Sequence, residues 1–211
     1  QLKREHSDVE QPWYADDTAG AGKFKGIRRH FEKLRDVGPR FGYFPEPSKS
    51  ILIVAKHNFE QATREFADLG FKVVLGHRYL GGYIGEKEEL DEWIQEKVDG
   101  WTRVVTALAS AAERHPQTAY AGLQRSLQQQ WQFVQRVVPH IGDKFTDVEK
   151  ALFETFLPAQ FKDTLGSLDD DDPRLELACL PVKHAGLALP NSVKSAAENY
   201  QASPLAPAHV T

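Results

Sequence analysis

The chain contains no methionine, and Cys179 is the only cysteine among its 211 residues. A single cysteine excludes a disulfide framework within the chain and a metal cluster built from cysteines. This composition favours an intracellular protein and does not distinguish the nucleus from the cytoplasm. Because the first residue is glutamine and no methionine follows, we expect the chain to be the C-terminal piece of a longer polypeptide.

Long hydrophobic runs are also missing. No stretch approaches the ~18 consecutive apolar residues that are typical of a membrane span. The sequence begins QLKREHSDVE, which lacks the apolar core of a secretory signal. Hydrophobic residues make up 41% of the chain and charged residues 27%, values that are ordinary for a globular protein. The sequence therefore predicts a globular chain without a membrane partner.

Positive charge is scarce overall, since the formal net charge is −4. A free-standing nucleic-acid-binding protein is usually basic, so the total charge argues against one. The distribution is uneven, however, because seven basic residues and only two acidic ones lie between Lys23 and Arg40. Acidic residues concentrate at 86–96 and 169–172. The basic helix predicted between Lys23 and Arg40 could face phosphate, or it could be an ordinary solvated helix face.

Hydrophobic spacing predicts an α+β fold, in which short strands and helices are followed by long helices. Aromatic and β-branched runs bounded by glycine or proline are typical of strands. Apolar residues three or four positions apart are typical of helices. On these grounds the predicted early elements are a hairpin at 11–21 with its turn around 16–17, helices at 23–37 and 59–69, and strands at 51–54, 71–75 and 79–84, the last two joined by a turn at 76–77.

Three parts are predicted along the chain: a mixed part at 1–85, a helical part at 86–142 and a helical C-terminal extension at 143–211. Proline and glycine mark the ends of the predicted helices, as helix-stop signals do. The predicted helices after position 86 are 90–112, 118–138, 147–161 and 193–202.

The first two of these long helices each carry one apolar stripe, and only a short break around Pro116 separates them. Neither stripe is expected to remain in water, because burial of each large apolar side chain contributes about 1.5–3 kcal/mol. A short connection favours antiparallel neighbours. We therefore predict a helical hairpin in which Trp101 and Leu108 face Leu123 and Leu127.

The string WYADDTA at 13–19 carries the clearest chemistry in the sequence. Two adjacent carboxylates repel each other, and a divalent cation removes that conflict. Mg²⁺ prefers oxygen ligands, usually one or two protein carboxylates together with phosphate oxygens and water. A hairpin tip suits such a site, because two strands anchor the turn while coordination positions stay open. An ordinary surface turn also accommodates an Asp-Asp pair, so the dipeptide alone leaves both interpretations open.

Four segments together resemble reverse transcriptases, the RNA-directed DNA polymerases. The tetrapeptide YADD at 14–17 is similar to the YxDD signature of this family. GYFPEPSKS at 42–50, followed by a strand, resembles the next motif, in which a lysine precedes a strand. YLGGYIG at 79–85 resembles the Leu-Gly hairpin that grips the primer, and LPVKHAGLAL at 180–189 is similar to a segment of non-LTR-retrotransposon-like proteins.

The resemblance implies a partial polymerase palm at 1–85 and a helical thumb at 86–142, with Mg²⁺ (or Mn²⁺) as the cofactor. Asp16 is implied as a ligand shared by two metal ions, and Asp17 as a weaker ligand or electrostatic support. Tyr14 and Ala15 are implied to lie close to the primer terminus. The implied partners are an RNA or DNA template–primer and dNTPs.

Three further residues receive roles from the same resemblance. Lys49 is implied to lie near the phosphates of the incoming nucleotide, where it could donate a proton to the leaving pyrophosphate. Leu80 and Gly81 are implied to belong to the primer grip. For Lys49 the alternative is an ordinary exposed surface lysine.

The resemblance also implies parts that this sequence does not show. The family requires another aspartate on an earlier strand and a fingers region that holds the template and nucleotide. We expect both in an upstream segment of the same polypeptide, and we expect the isolated chain to be inactive. Two alternatives remain at this stage: an RNA-dependent RNA polymerase, which would favour glycine at Ala15, and a non-enzymatic helical interaction module in which Asp16-Asp17 is only a turn.

Overall fold

The computed structural model describes residues 8–14, 17–162 and 172–208, without the side chains of 13, 14, 17 and 204–208. The chain forms two compact units. Unit 1 contains the described residues up to His77 together with Ile84–Glu86, and unit 2 contains Arg78–Tyr83 and the described residues from Lys87 onward. Small two-stranded sheets and a majority of helix make the fold a mixture of α and β structure, as predicted. None of the described helices is both long and apolar enough to cross a membrane.

Unit 1 begins with the predicted hairpin, which is built in two sections. Strand β1 (Val9–Glu10) pairs antiparallel with β4 (Ala21–Gly22), and β2 (Trp13–Tyr14) pairs antiparallel with β3 (Asp17–Thr18). Between the two sections the backbone N–H of Ala19 donates to the carbonyl of Pro12 at 3.1 Å. The hairpin prediction is confirmed.

Helix α1 (Phe24–Val37) follows the hairpin and ends where the Gly38-Pro39 pair predicts. Its apolar face is buried, and Ile27 and Phe31 share one core with Val9 of the hairpin. The same core contains Phe66 and Leu69 from the next helical segment. Helix α1 therefore packs against the hairpin on one side of the sequence and against the following helical segment on the other, within the single core of unit 1.

A parallel strand–helix–strand arrangement completes unit 1. Strand β5 (Ile51–Ile53) pairs in parallel with β6 (Lys72–Val74), and helix α2 (Phe59–Glu65) connects them. A 3₁₀ turn at Ala67–Leu69 extends this helix, and Gly70 closes it with φ +72°. The predicted helix end at Gly70 is thus confirmed, since glycine adopts this left-handed conformation without a steric penalty.

The next hairpin is shifted from its predicted position. Strands β7 (Gly76–Tyr79) and β8 (Gly82–Gly85) pair, so the turn lies at Leu80-Gly81, and the predicted turn at 76–77 was wrong. Leu80 has φ +47° and Gly81 has φ +83°. A two-residue hairpin turn of type I′ requires positive φ at both central positions. Leucine rarely adopts such a conformation, so turn composition predicted an uninterrupted strand at 79–84, which was wrong, although the resemblance to a Leu-Gly hairpin implied a hairpin at 79–85.

Unit 2 consists of helices around one shared core. The predicted helix after Pro116 begins at this proline, because the first helical position tolerates its missing N–H. Two helices contain short π-helical segments, Leu123–Leu127 and Ala151–Phe156. The helices of unit 2 are α3 (Lys87–Ala112), α4 (Pro116–Gly122), α5 (Gln128–Val137), α6 (Thr146–Lys150), α7 (Leu157–Gln160), α8 (Pro173–Cys179) and α9 (Ser192–Ala208).

The predicted helical hairpin is present in unit 2. The indole of Trp101 on α3 lies edge-on to that of Trp131 on α5, with 6.2 Å between ring centroids. Nearer the connection, Leu108 approaches Gly122, since a Cβ on this glycine would lie 3.6 Å from the leucine Cδ2. Leu108 follows Trp101 along α3, whereas its contact Gly122 precedes Trp131. The two sides of the hairpin are therefore antiparallel. Trp101 contacts Trp131, one helical turn beyond the predicted partner Leu127.

The core of unit 2 joins the segments 86–142 and 143–211. Large side chains from both segments are almost completely excluded from solvent and form a single cluster. Its most deeply buried members include Ile94, Leu123, Trp131, Phe145, Leu152, Phe156 and Leu189.

Candidate functional site

The first and last residues of the YADD string, Tyr14 and Asp17, lie on the paired strands β2 and β3 of unit 1. Trp13 pairs with Thr18, and Tyr14 pairs with Asp17. Asp17 therefore belongs to the returning strand, whereas the sequence predicted it within the turn. This correction follows from the register, because pairing of Tyr14 with Asp17 leaves two residues for the connection. Ala15 and Asp16 lie outside the described residues, as do the side chains of 13–17.

The base of this hairpin is anchored to helix α1. Val9 is buried in the unit 1 core, where Ile27 is among its partners. The carboxylate of Asp8 accepts a hydrogen bond from the Arg29 guanidinium at 2.7 Å. Asp8 thus serves an ion pair at the hairpin base. Across 8–14, 17–162 and 172–208, no three His, Cys, Asp or Glu side chains are grouped to hold a metal ion.

The basic stretch of helix α1 is partly used for internal contacts. Arg28 forms ion pairs with Asp68 and, at 3.1 Å, with Glu32. The hydrogen bond from Arg28 lowers the pKa of the Asp68 carboxyl, and the same bond raises the pKa of Arg28. These contacts tie helix α1 to the 3₁₀ turn after α2. Arg28 and Arg29 are therefore structural cations.

Lys49, the residue implied to lie near nucleotide phosphates, ends a 3₁₀ turn at Pro47–Lys49 directly before β5. Its side chain is exposed and forms no hydrogen bond or ion pair within the described part of the chain. The turn is closed by the Ser50 N–H, which donates to the Pro47 carbonyl at 3.0 Å. A charged amine that no internal partner neutralises can bind an external anion.

Leu80 and Gly81, the residues implied as the primer grip, form the tip of the β7–β8 hairpin. This tip lies on helix α5 of unit 2, because a Cβ on Gly81 would be 2.8 Å from the Phe133 ring. A Cβ on Gly82 would be 3.1 Å from Val137 Cγ2. Leu80, Phe133 and Val137 remain 46%, 43% and 40% exposed. The hairpin tip and helix α5 therefore present one apolar surface to solvent.

The charge around this surface has one sign. The segment 116–138 contains Arg125 and Arg136, seven glutamines and no acidic residue. Both arginines are exposed and form no ion pair within the described ranges. Helix α3, by contrast, carries six acidic and three basic residues. Sequence reasoning missed this acid-free run, although its glutamine-rich composition was a readable signal.

The segment LPVKHAGLAL at 180–189 is held against the helical hairpin by side chains that form hydrogen bonds with its backbone. The Tyr120 hydroxyl donates to the Leu187 carbonyl at 2.6 Å. The buried Gln128 of α5 likewise donates to the Ala188 carbonyl at 3.1 Å, and the buried Gln135 donates at 2.8 Å to the carbonyl of Ser192, which lies just after the segment. Burial raises the pKa of Tyr120, so this hydroxyl stays protonated and remains a donor.

Gly186 is the tightest point of this segment, and its replacement should have a large effect. A Cβ there would lie 2.1 Å from the Leu180 carbonyl oxygen. We expect Gly186→Ala to lower the free energy of unfolding by about 1–3 kcal/mol, because backbone must move to admit the methyl group. Urea denaturation followed by circular dichroism measures this change.

Gly100→Ala is the matched control for that substitution. Gly100 lies inside α3, and a Cβ there meets nothing within 4 Å. Alanine is the better helix former, so this change should raise stability by about 0.5–1 kcal/mol. Equal effects of the two Gly→Ala substitutions would contradict the packing described for Gly186.

The acidic run at 169–172 has a structural role where it is described. Asp172 caps α8, with its carboxylate accepting from the Arg174 backbone N–H at 2.8 Å. Hydrogen bonds from Arg174 lower the pKa of Asp172 to about 2. Residues 169–171 lie outside the described part of the chain.

Comparison of the chain with protein-family models, with curated proteins and with solved structures finds no match. The functional interpretation therefore depends on the residues and contacts described above.

Proposed function

We propose that this chain carries the later part of the palm, and the thumb, of a reverse transcriptase, an RNA-directed DNA polymerase. The observation that carries the proposal is the register of the first hairpin, in which Tyr14 pairs with Asp17. This register suits the YxDD resemblance, because the first and last residues of the Tyr-Ala-Asp-Asp string are paired across two antiparallel strands. An Asp-Asp pair in a helix or in a long loop would lack that support.

In this proposal Asp16 and Asp17 bind two Mg²⁺ or Mn²⁺ ions together with an aspartate from the upstream segment. Ions held there would supply positive charge to the attacking primer 3′-hydroxyl and to the leaving oxygen of a dNTP. Carboxylate oxygens are the donors that these cations prefer, so the residues present fit the ions. Tyr14 and Ala15 lie next to the primer terminus, and Lys49 binds the nucleotide phosphates.

Unit 2 supports the proposal through the surface of the β7–β8 hairpin tip and helix α5. Gly81 of the implied primer grip contacts Phe133 on α5, which belongs to the acid-free segment 116–138; this segment carries two exposed arginines, Arg136 on α5 and Arg125 in the π-helical segment before it. A surface of this charge attracts phosphate, and its glutamines can donate hydrogen bonds to a nucleic-acid backbone. We propose that α5 is the duplex-facing helix of the thumb, because the acidic helix α3 would repel phosphate.

The duplex-facing role of α5 predicts a salt-dependent defect. Replacing both Arg125 and Arg136 by glutamine should weaken binding of a primer–template duplex to this chain. The slope of log K against log salt concentration should become shallower by about 0.9 for each phosphate that the variant no longer neutralises. Fluorescence anisotropy with a labelled duplex at several salt concentrations measures both quantities.

Arg103→Gln is the control, since Arg103 is exposed but belongs to the acidic helix α3, where its Nε donates to the Asp99 backbone carbonyl at 3.3 Å. This variant should bind the duplex as the wild-type chain does. If the α5 variant retains wild-type affinity and salt slope, the role proposed for α5 is wrong.

A further inference from the structure

Two phenylalanines in the loop after helix α1 are far more exposed than their neighbours in the core. Phe41 is 80% exposed and Phe44 is 73% exposed, the highest values for large hydrophobic side chains among the described residues. Large aromatic side chains are ordinarily buried, so two such residues held in water suggest a binding surface.

The backbone around these phenylalanines is tied into a closed turn. A 3₁₀ turn at Gly38–Phe41 follows helix α1, and Gly42 ends it with φ +77°. The Gly42 N–H donates to the Pro39 carbonyl at 3.2 Å, and the Tyr43 N–H donates to the Gly38 carbonyl at 3.0 Å. These bonds fix the backbone at Phe41, and Phe44 directly follows Tyr43, the last residue that they hold. A surface fixed in this way loses little freedom when it binds a partner.

The charges around this turn complement a polyanion. Residues 33–49 contain four basic and two acidic side chains, although the whole chain has a net charge of −4. Arg35, Arg40 and Lys49 are exposed and form no ion pair within the part of the chain that the structure describes. Of the two acidic residues, Glu46 is engaged by the Ser48 hydroxyl at 2.9 Å.

From these observations we infer that Phe41 and Phe44, together with Arg40, form a stacking surface for single-stranded nucleic acid. Every base presents a π face on which an aromatic ring can stack, and arginine supplies contacts to phosphate. The two phenylalanines are three residues apart, so their Cα atoms are separated by at most about 11 Å. That distance lets them contact bases that are close together on one strand. The partner class, nucleic acid, rests on the proposed function, but none of the three residues belongs to the YADD string.

Binding of labelled single-stranded oligonucleotides, oligo(dT) and oligo(U), to the 211-residue chain tests the inference. The double variant Phe41→Ala/Phe44→Ala should bind at least about 30-fold more weakly, since loss of one stacked base costs about fivefold or more. Its salt slope should be unchanged, because both mutated residues are uncharged. Arg40→Ala should instead reduce the slope by about 0.7, the value for one phosphate of a single strand.

Phe59→Ala is the matched control, because Phe59 is also an exposed phenylalanine of unit 1 at 36% exposure. This variant should bind oligonucleotides as the wild-type chain does. Circular dichroism and thermal melting check that each variant is folded, which is expected because both mutated rings are largely in solvent.

Several outcomes would overturn the inference. These are an unchanged oligonucleotide affinity in the double variant, no oligonucleotide binding by the wild-type chain, and an equal loss in Phe59→Ala. The double variant could instead keep its oligonucleotide binding and lose self-association, which would assign the surface to a second copy of the chain. Loss of binding to phosphatidylglycerol vesicles alone would assign it to a membrane surface. Failure of the polymerase proposal is distinguishable, because it is read from nucleotide incorporation and from Asp16 variants.

Discussion

Replacing Asp16 by asparagine should abolish DNA synthesis by the polypeptide that contains this chain and its expected upstream segment. An amide has nearly the shape of a carboxylate but lacks the charge that holds Mg²⁺. In the proposed site Asp16 would hold both metal ions, so its loss would remove the charge that they supply to the primer hydroxyl and to the leaving oxygen. Incorporation of labelled dNTP into a primed RNA template measures the effect.

Asp17→Asn is the internal comparison for this experiment. Because the resemblance implies that Asp17 is a weaker ligand or electrostatic support, its substitution should reduce incorporation less than Asp16→Asn. Wild-type turnover by Asp16→Asn at saturating Mg²⁺ would contradict the assignment of the whole motif. The isolated chain should extend no primer, and Asp16-dependent incorporation by it would contradict the need for an upstream aspartate and fingers.

Replacing Trp131 by alanine should produce the largest loss of stability in unit 2. The Trp131 side chain is only 1% exposed and contacts Trp101, whose own indole N–H donates to Gln130 at 3.3 Å. Removing a buried tryptophan leaves a cavity and typically costs about 3–5 kcal/mol. Chemical denaturation followed by circular dichroism measures the free energy of unfolding.

Two neighbouring valines of α3 provide a matched control for this burial argument. Val105 is 0% exposed and Val104 is 45% exposed, and both can be shortened to alanine. The Val105→Ala variant should be clearly destabilised, whereas Val104→Ala should change stability by about 0.5 kcal/mol or less. Similar losses at both positions, or little loss in Trp131→Ala, would contradict the packing of the helical hairpin.

Most of the local structure was predictable from the sequence, because it depends on short-range signals. The 11–21 hairpin, the end of α1 at Gly38, the Gly70 cap and the antiparallel helical hairpin all follow from residues close in the chain. The boundaries that were wrong involve unusual conformations. Leu80 adopts a positive φ that leucine rarely takes, so the turn at Leu80-Gly81 could not be read from composition.

Long-range arrangement was less accessible. The parallel pairing of β5 with β6 depends on packing between distant rings, including Phe31 with Phe71 at 4.6 Å between centroids. Likewise, the charge of Arg28 is visible in the sequence, but its partner Asp68 lies 40 residues away. The basic stretch was therefore readable as a phosphate surface, although Arg28 and Arg29 are used to hold unit 1 together.

For the candidate site, the sequence supplied residue types and the structure supplied their setting. The YADD string and Lys49 could be selected by resemblance, and the hairpin register adds the position of Asp17. The contact of Gly81 with Phe133 could not be predicted, because it joins segments that are about 50 residues apart. The absence of acidic residues from 116–138 was visible in the sequence. The contact with Gly81 shows that this segment lies beside the residues implied as the primer grip.

The most direct test of the central proposal is nucleotide incorporation by the polypeptide that contains this chain, given a primed RNA template, Mg²⁺ and either dNTPs or rNTPs. The proposal predicts that the primer is extended with dNTPs, that rNTPs are used poorly, and that chelation of Mg²⁺ stops the reaction. Extension with rNTPs in preference to dNTPs would identify an RNA polymerase instead. The absence of any Mg²⁺-dependent incorporation would contradict the proposal.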